Sequence, residues 1–162
     1  LISYGHTKIA YLGDNPQIYT AQERYAGYVK ALKAAKIPLD PSLVFKGFES
    51  ADQAVISLRN LLRSSNAPTA IFASQNLLTM VALQALHAEG LEKKIAIVGF
   101  DDFPAANLIS PGVTLVKQDL AEIGRLSIQA LLNRIDGDNS KYSTTVVPTT
   151  LIPMGSGEIK PR

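Results

Sequence analysis

The run Ile95-Ala96-Ile97-Val98-Gly99-Phe100 passes directly into two adjacent carboxylates, Asp101 and Asp102. A short apolar run bounded in this way has the pattern of a parallel strand buried on both faces. Such a strand delivers its acids to its carboxyl end, the edge of an open α/β sheet where ligands sit. Three other strand-like runs end in comparable chemistry. The run 8–12 is followed by Asp14 and, in the first turn of the next helix, by Thr20 and Arg24; 43–46 leads to Phe48 and Glu49; 69–73 leads to Ser74, Gln75 and Asn76. Gathered on one rim, these groups offer a guanidinium fork, carboxylates, amides and an aromatic ring. That mixture suits a polyhydroxylated or heteroaromatic small molecule, with Arg and Asp bridging neighbouring hydroxyls and a ring stacking on a flat face.

Each residue also has a plainer role open to it. Arg24 fits a solvated helix position, and Gln75 and Asn76 fit the cap of the following helix equally well. Phe48 fits the core better than a stacking platform. Of the two acids, Asp101 is the better ligand clamp and Asp102 the better brace for the next turn.

The elements that must position these groups alternate between strand-like and helix-like patterns. Capping boxes, in which each side chain satisfies a free backbone N–H, are predicted at Thr20-Ala21-Gln22-Glu23 and Ser50-Ala51-Asp52-Gln53, with an Asp-led version at Asp119-Leu120-Ala121-Glu122. Tyr25, Val29 and Leu32 form one apolar stripe, and Val55, Leu58, Leu61 and Leu62 another. A third helix spans 77–87 with Gly90 as its C-terminal signal, and a fourth runs from 119 to about 135, ended by Gly137. A fifth short strand covers 113–116. Residues 143–152 are β-prone but broken at Pro148, and the Gly/Pro-rich tail from Pro153 reads as loosely held. Strand and helix in alternation give the fold class: α/β, a three-layer doubly wound parallel sheet covered on both faces.

Composition narrows the function classes. With 46% hydrophobic and 19% charged residues, the chain can bury a substantial core. The 16 Lys and Arg against 14 Asp and Glu are scattered and form no stripe, so these residues themselves are not expected to bind nucleic acid. There is no cysteine for a disulfide or thiolate metal site, in keeping with a cytoplasmic protein, and no apolar run approaches the ~18 residues of a membrane helix. His6 and His87 are far apart, and neighbours such as Asp101 and Asp102 point to opposite sides of a strand, against shared metal ligation. With no phosphate loop, dinucleotide turn or nucleophile elbow either, no enzyme activity, metal or cofactor is expected.

Four motifs, in order and spread along essentially the whole chain, carry a family resemblance. Gly5-His6-Thr7-Lys8-Ile9-Ala10 resembles the GH-x-x-I-A segment that opens the second lobe of the LacI/GalR bacterial transcription regulators. Glu23-Arg24-Tyr25-Ala26-Gly27-Tyr28 resembles their x-R-x-x-G-[YFW] helix, and 68–76 their P-T-A-[IL]-[FV]-[CA]-x-[NS]-D turn. Residues 97–104 with 111–118 are similar to V-x-G-[FY]-D-D-x-P and P-x-L-T-T-[VI]-x-Q.

The resemblance implies a periplasmic-binding-protein-like core that closes on a small effector, dimeric assembly, and operator DNA bound through a helix-turn-helix. Arg24 and Asp101 would hydrogen-bond the effector, Gln75 would take the usual Asn position, and the segment 47–49 would hold a stacking aromatic. Gln75-Asn76 replaces the commoner Asn-Asp, and the ring is displaced to Phe48, with Glu49 where it is expected; the ligand need not be an ordinary hexose. Residues 1–118 would be the C-terminal lobe, 119–147 a segment belonging to the N-terminal lobe, and 148–162 a return to the first. The helix-turn-helix and most of the other lobe would lie outside this sequence. Leu120, Ile128, Leu131 and Ile135 would then be left exposed, and the chain is expected to compensate by association, segment exchange or folding back. Met80, Val81 and the segment Ala105, Ala106, Leu108, Ile109 are candidates for a homodimer face, with ordinary core as their other role. The competing function on the same fold is a periplasmic sugar-binding protein of an ABC transporter.

Overall fold

The computed structural model describes residues 1–161 except Ala105 and Asn107. Ten principal elements follow one another: β1 (Ile9–Gly13), α1 (Tyr19–Ala34), β2 (Val44–Lys46), α2 (Ala51–Leu62), β3 (Ala70–Ala73), α3 (Asn76–Ala88), β4 (Ala96–Phe100), β5 (Thr114–Gln118), α4 (Leu120–Ile135) and β6 (Thr149–Ile152). They build one six-stranded sheet in the order β2-β1-β3-β4-β5-β6. The first five strands are parallel, and β6 pairs antiparallel with β5, Leu115 opposite Ile152 and Gln118 opposite Thr149. The sheet is therefore mixed at one edge, where a wholly parallel one was expected.

Strand alternation divides the core. Ala10, Leu12, Ile71, Ala73 and Ile97 face α2 and α3, while Ile9, Tyr11, Ala70 and Ala96 face α1 through Tyr28 and Leu32. Burial on both faces accounts for the unbroken apolar runs of β1 and β3. Tyr28 is buried with its hydroxyl donating to the Ile9 carbonyl at 2.8 Å, and that burial pushes its pKa up to about 12.

Two of the three capping boxes form at their helix starts. Ser50 accepts from the Gln53 amide and Asp119 from the Glu122 amide. The Gln53 side chain reaches one residue further back, accepting the Glu49 N–H at 2.9 Å. At Thr20 the box does not form. Ile18 occupies the cap position without a side-chain bond, because the turn at Asn15 and Pro16 brings the chain into α1 earlier: Asn15 accepts the Gln17 N–H, and Gln22 donates to the Pro16 carbonyl. Gly90 ends α3 as predicted, with a positive φ, its N–H on the His87 carbonyl and the Leu91 N–H on that of Leu86.

The tail corrects the expectation of a loose end. Ser156 is buried; its hydroxyl donates to the Ile97 carbonyl at 2.7 Å and accepts the Thr114 N–H at 2.9 Å. Thr114 Oγ1 in turn accepts the amides of Met154 and Gly157 and donates to Glu158. Replacing Ser156 with alanine leaves the buried Thr114 N–H unpaired and should lower stability by about 1–3 kcal/mol, read as a shifted urea midpoint at unchanged slope.

His6, fully buried, fastens the other terminus to this tail. Nε2 lies 2.7 Å from the Ile159 carbonyl and Nδ1 2.9 Å from Thr69 Oγ1. A carbonyl only accepts, so Nε2 carries the proton and Nδ1 accepts from the threonine. Desolvation holds the His6 pKa below its ordinary 6.5. Between the two values the unfolded chain binds a proton that the folded chain refuses, so this contribution is complete above about pH 6.5 and falls as pH drops through that value. Urea midpoints at pH 7.5 and 5.5 should show the loss, and His6→Gln should remove most of it.

Residues 143–147, expected to be strand-like, form none. Pro148 lacks a ladder donor, and pairing with β5 begins only after it, at Thr149. No residue of α4 is buried, and Leu120, Ile128, Leu131 and Ile135 are all exposed.

Candidate ligand-binding site

The carboxyl ends of the parallel strands meet on one rim, and the clearest convergence there is Arg24 with Asp101. Arg24 sits one turn into α1, on the side facing β3 and β4. Its Nη1 donates to the Ser74 carbonyl at 2.8 Å, its guanidinium lies 3.9 Å over the Phe100 ring, and its Nη2 is 3.8 Å from Asp101 Oδ2. The first two contacts hold the fork still. The third is too long for a direct hydrogen bond, so both groups keep bonding capacity for a ligand hydroxyl that bridges them from the side.

Asp101 follows β4 directly and adopts φ 68°, a left-handed conformation uncommon outside glycine and best tolerated by Asp and Asn. Its N–H donates to the Val116 carbonyl, and its Oδ1 accepts from the Gln118 side chain. Asp102 points away, 3.2 Å from Lys117 Nζ, in an exposed pair that braces the β4 end against β5. The two acids thus separate into one that faces Arg24 and one that does not.

The other predicted residues distribute unevenly. Gln75 is half-buried at the N-cap of α3 and makes no side-chain cap bond; its carbonyl accepts the Thr79 amide and hydroxyl. Asn76 lines a cavity of about 230 Å³ with Asp101, Asp102, Lys117, Gln118 and Leu120, whereas Gln75 does not. Thr20 is exposed on the first turn of α1. Phe48 stacks on Phe45 with centroids 6.2 Å apart and packs against the α2/α3 core, the plainer of its two roles. Glu49 is exposed beside it. Of the interface candidates, Met80 and Leu108 are exposed, while Val81 and Ala106 are buried and Ile109 packs on the core of Phe103, Val113 and Leu115. Ala105 lies outside the described residues.

Two contributors escaped the sequence-based choice. Gln118 and Lys117 end β5, a fifth parallel strand to which the carboxyl-end argument applies as it does to the others. A second groove, of about 520 Å³, runs along α1 and the sheet face past Leu1, Ile2, Tyr28, Phe72 and Val98. It is larger but apolar, and it meets the polar cluster only at Arg24. Among the described residues no cluster of His, Cys, Asp or Glu is arranged to hold a metal ion.

A mostly parallel sheet whose strand ends bring Arg24 beside Asp101, with Asp101 lining a small cavity, is an α/β lobe with a candidate ligand site at its carboxyl edge. The chain belongs to the periplasmic binding protein-like domain family, whose model matches residues 1–156. Its relatives are LacI-type transcriptional regulators, not enzymes. The ribose operon repressor of Haemophilus influenzae is 34% identical over 154 residues, covering 94% of this chain and 46% of the repressor. The transcriptional regulator CelR of Thermobifida fusca is 33% identical over 159 residues, covering 97% and 47%. Among solved structures, a LacI-family regulatory protein from Chloroflexus aggregans superposes with TM-score 0.87 at 28% identity, over 96% of this chain and 57% of that one. A complex of CelR with cellobiose superposes with TM-score 0.87 at 33% identity, over 97% and 49%. The chain spans about half the length of the curated relatives it matches.

Proposed function

We propose that this chain is the effector-binding part of a LacI-type transcriptional repressor, in which a small polar ligand at the strand ends changes affinity for operator DNA. The observation that carries this reading is the immobilised Arg24 beside Asp101, with Nη2 and Oδ2 3.8 Å apart, so that one ligand hydroxyl approaching from the side can accept from the first and donate to the second. Arg24 has Asp101 as its counter-charge and Lys117 has Asp102, so an uncharged polyhydroxylated molecule fits this rim better than a phosphate. The CelR relative was solved with cellobiose, which supports a sugar. The effector acts by population shift, favouring one arrangement of a two-lobed core. Operator contact belongs to a helix-turn-helix elsewhere in the protein, and the functional unit is a homodimer in the cytoplasm, with Met80 and Leu108 available to an interface. The exposed residues of α4 pack on the other lobe. The regulator relatives favour this function over a transporter's periplasmic sugar-binding protein.

Operator binding by the full-length regulator, measured with and without cellobiose or D-ribose, tests the reading. Wild type should respond to a sugar, and Arg24→Ala and Asp101→Asn should bind operator but lose the response. A normal response in both variants would refute the site.

A further inference from the structure

Tyr11 carries a polar group into the apolar core on the α1 side of the sheet. Its ring is fully buried among Tyr25, Tyr28 and Phe72, with centroids 5.2, 5.1 and 5.8 Å away. The phenol reaches the carboxyl edge by passing over Gly13, where a Cβ would strike Tyr11 Cε1 and lie 3.0 Å from the phenol oxygen. Its hydroxyl points at the Ala21 carbonyl near the start of α1, a long contact of 3.5 Å. Ser74, the residue after β3, is buried as well, and its Oγ makes no hydrogen bond of ordinary geometry to the described residues. Burial pushes the Tyr11 pKa up, while the Ser74 hydroxyl and the Arg24 charge beside the phenol pull it down. Two adjacent buried hydroxyls with unused bonding capacity are costly apart and satisfied together.

We propose that the Ser74 hydroxyl donates to the Tyr11 oxygen and the phenol to the Ala21 carbonyl, so that Tyr11 and Ser74 are a buried pair of positioning residues for Arg24. Ala21 and Arg24 lie three residues apart and share a face of α1. Arg24 is tied to Ser74 directly, through its 2.8 Å bond to the carbonyl, and Ala21 is tied to the same residue through the phenol. The two routes close a ring around one turn of α1. That ring holds the helix where the guanidinium lies flat on Phe100 beside Asp101. Tyr11 touches no ligand and acts through Ser74 and α1. The effect on ligand affinity rests on the proposed effector site; the positioning of Arg24 does not.

Proton–nitrogen spectra of the arginine side chains in the full chain test this without a ligand, through the rate at which the Arg24 Nη1 protons exchange with water. Tyr11→Phe, which keeps the ring, and Ser74→Ala should each speed that exchange about two- to tenfold, the size of one neutral hydrogen bond. The double variant should exchange no faster than the faster single, because both substitutions remove the same bond. Arg59, whose Nε donates to Glu89 at 2.7 Å on the α2/α3 side of the sheet, should keep its wild-type rate in all three, which a general loosening of the fold would not allow. Unchanged Arg24 exchange in both single variants, additive effects in the double, or equal acceleration at Arg59 would overturn the proposal. A chain that binds D-ribose or cellobiose, with Arg24 exchange indifferent to both substitutions, would refute this inference alone. The expected exchange pattern in a chain that binds neither sugar would count against the effector site and leave the positioning of Arg24 standing.

Discussion

Replacing Arg24 with alanine should weaken ligand binding at least a hundredfold and lower stability by about 1–3 kcal/mol. The binding loss comes from removing a fork that supplies up to two charge-assisted hydrogen bonds, each worth about 1.5–3 kcal/mol, where every 1.4 kcal/mol is about tenfold in affinity. The stability loss comes from contacts inside the chain. The Ser74 carbonyl loses its 2.8 Å donor, Phe100 loses the cation over its ring, and Asp101 loses its counter-charge. Lysine is a poor substitute, because an ammonium does not lie flat on Phe100 while donating sideways to a carbonyl. Arg24→Lys should therefore recover part of the stability and little of the binding. Titration calorimetry and urea unfolding on the same three proteins separate the effects. Equal affinity in wild type and Arg24→Ala would remove the residue from the site.

Gly99→Ala should destabilise the fold by about 1–3 kcal/mol, visible as a melting temperature lower by several degrees. A Cβ at this position would lie 2.6 Å from Thr79 Oγ1 and 2.8 Å from both Thr79 Cγ2 and Leu115 Cδ2. Thr79 and Leu115 are buried, so neither has free space to retreat into. The displacement would also reach the site, because Thr79 Oγ1 donates to the Gln75 carbonyl at the start of α3. Thr79→Ala removes both of its crowding atoms, so the double variant should cost clearly less than the sum of the singles. Strict additivity would mean that the close approach of α3 to β4 is not what requires glycine at this position.

Much of this architecture is legible in the sequence because its determinants are local. The apolar runs of β1, β3 and β4 mark strands to within a residue, and the boxes at Ser50 and Asp119 mark helix starts. Thr20 shows the limit of that locality: the same box residues are present, but the turn at Asn15-Pro16 sets where α1 begins. The tail misleads for the opposite reason. Its Gly/Pro composition suggests looseness, yet Ser156 is fixed by Ile97 and Thr114, residues far away in sequence. In the site, Arg24 and Asp101 stand out because each lies beyond the carboxyl end of a parallel strand, and Gln118 joins them once β5 is held to the same rule. Phe48 and Val81 are ambiguous in sequence because an aromatic or branched side chain has the same spacing in a core as on a functional face. Tertiary packing buries Val81 in the core and leaves Phe48 half-buried against it.

Arg24 and Asp101 together form the proposed binding pair for a small uncharged polar ligand. The pair's most direct test is the melting temperature of the chain and of its Arg24→Ala and Asp101→Asn variants across a panel of sugars, polyols and nucleosides that includes cellobiose and D-ribose. A ligand that binds only the folded state raises apparent stability by mass action. At least one member should stabilise wild type in a concentration-dependent way and neither variant. Stabilisation of equal size in all three proteins, or none of wild type across the whole panel, would contradict it.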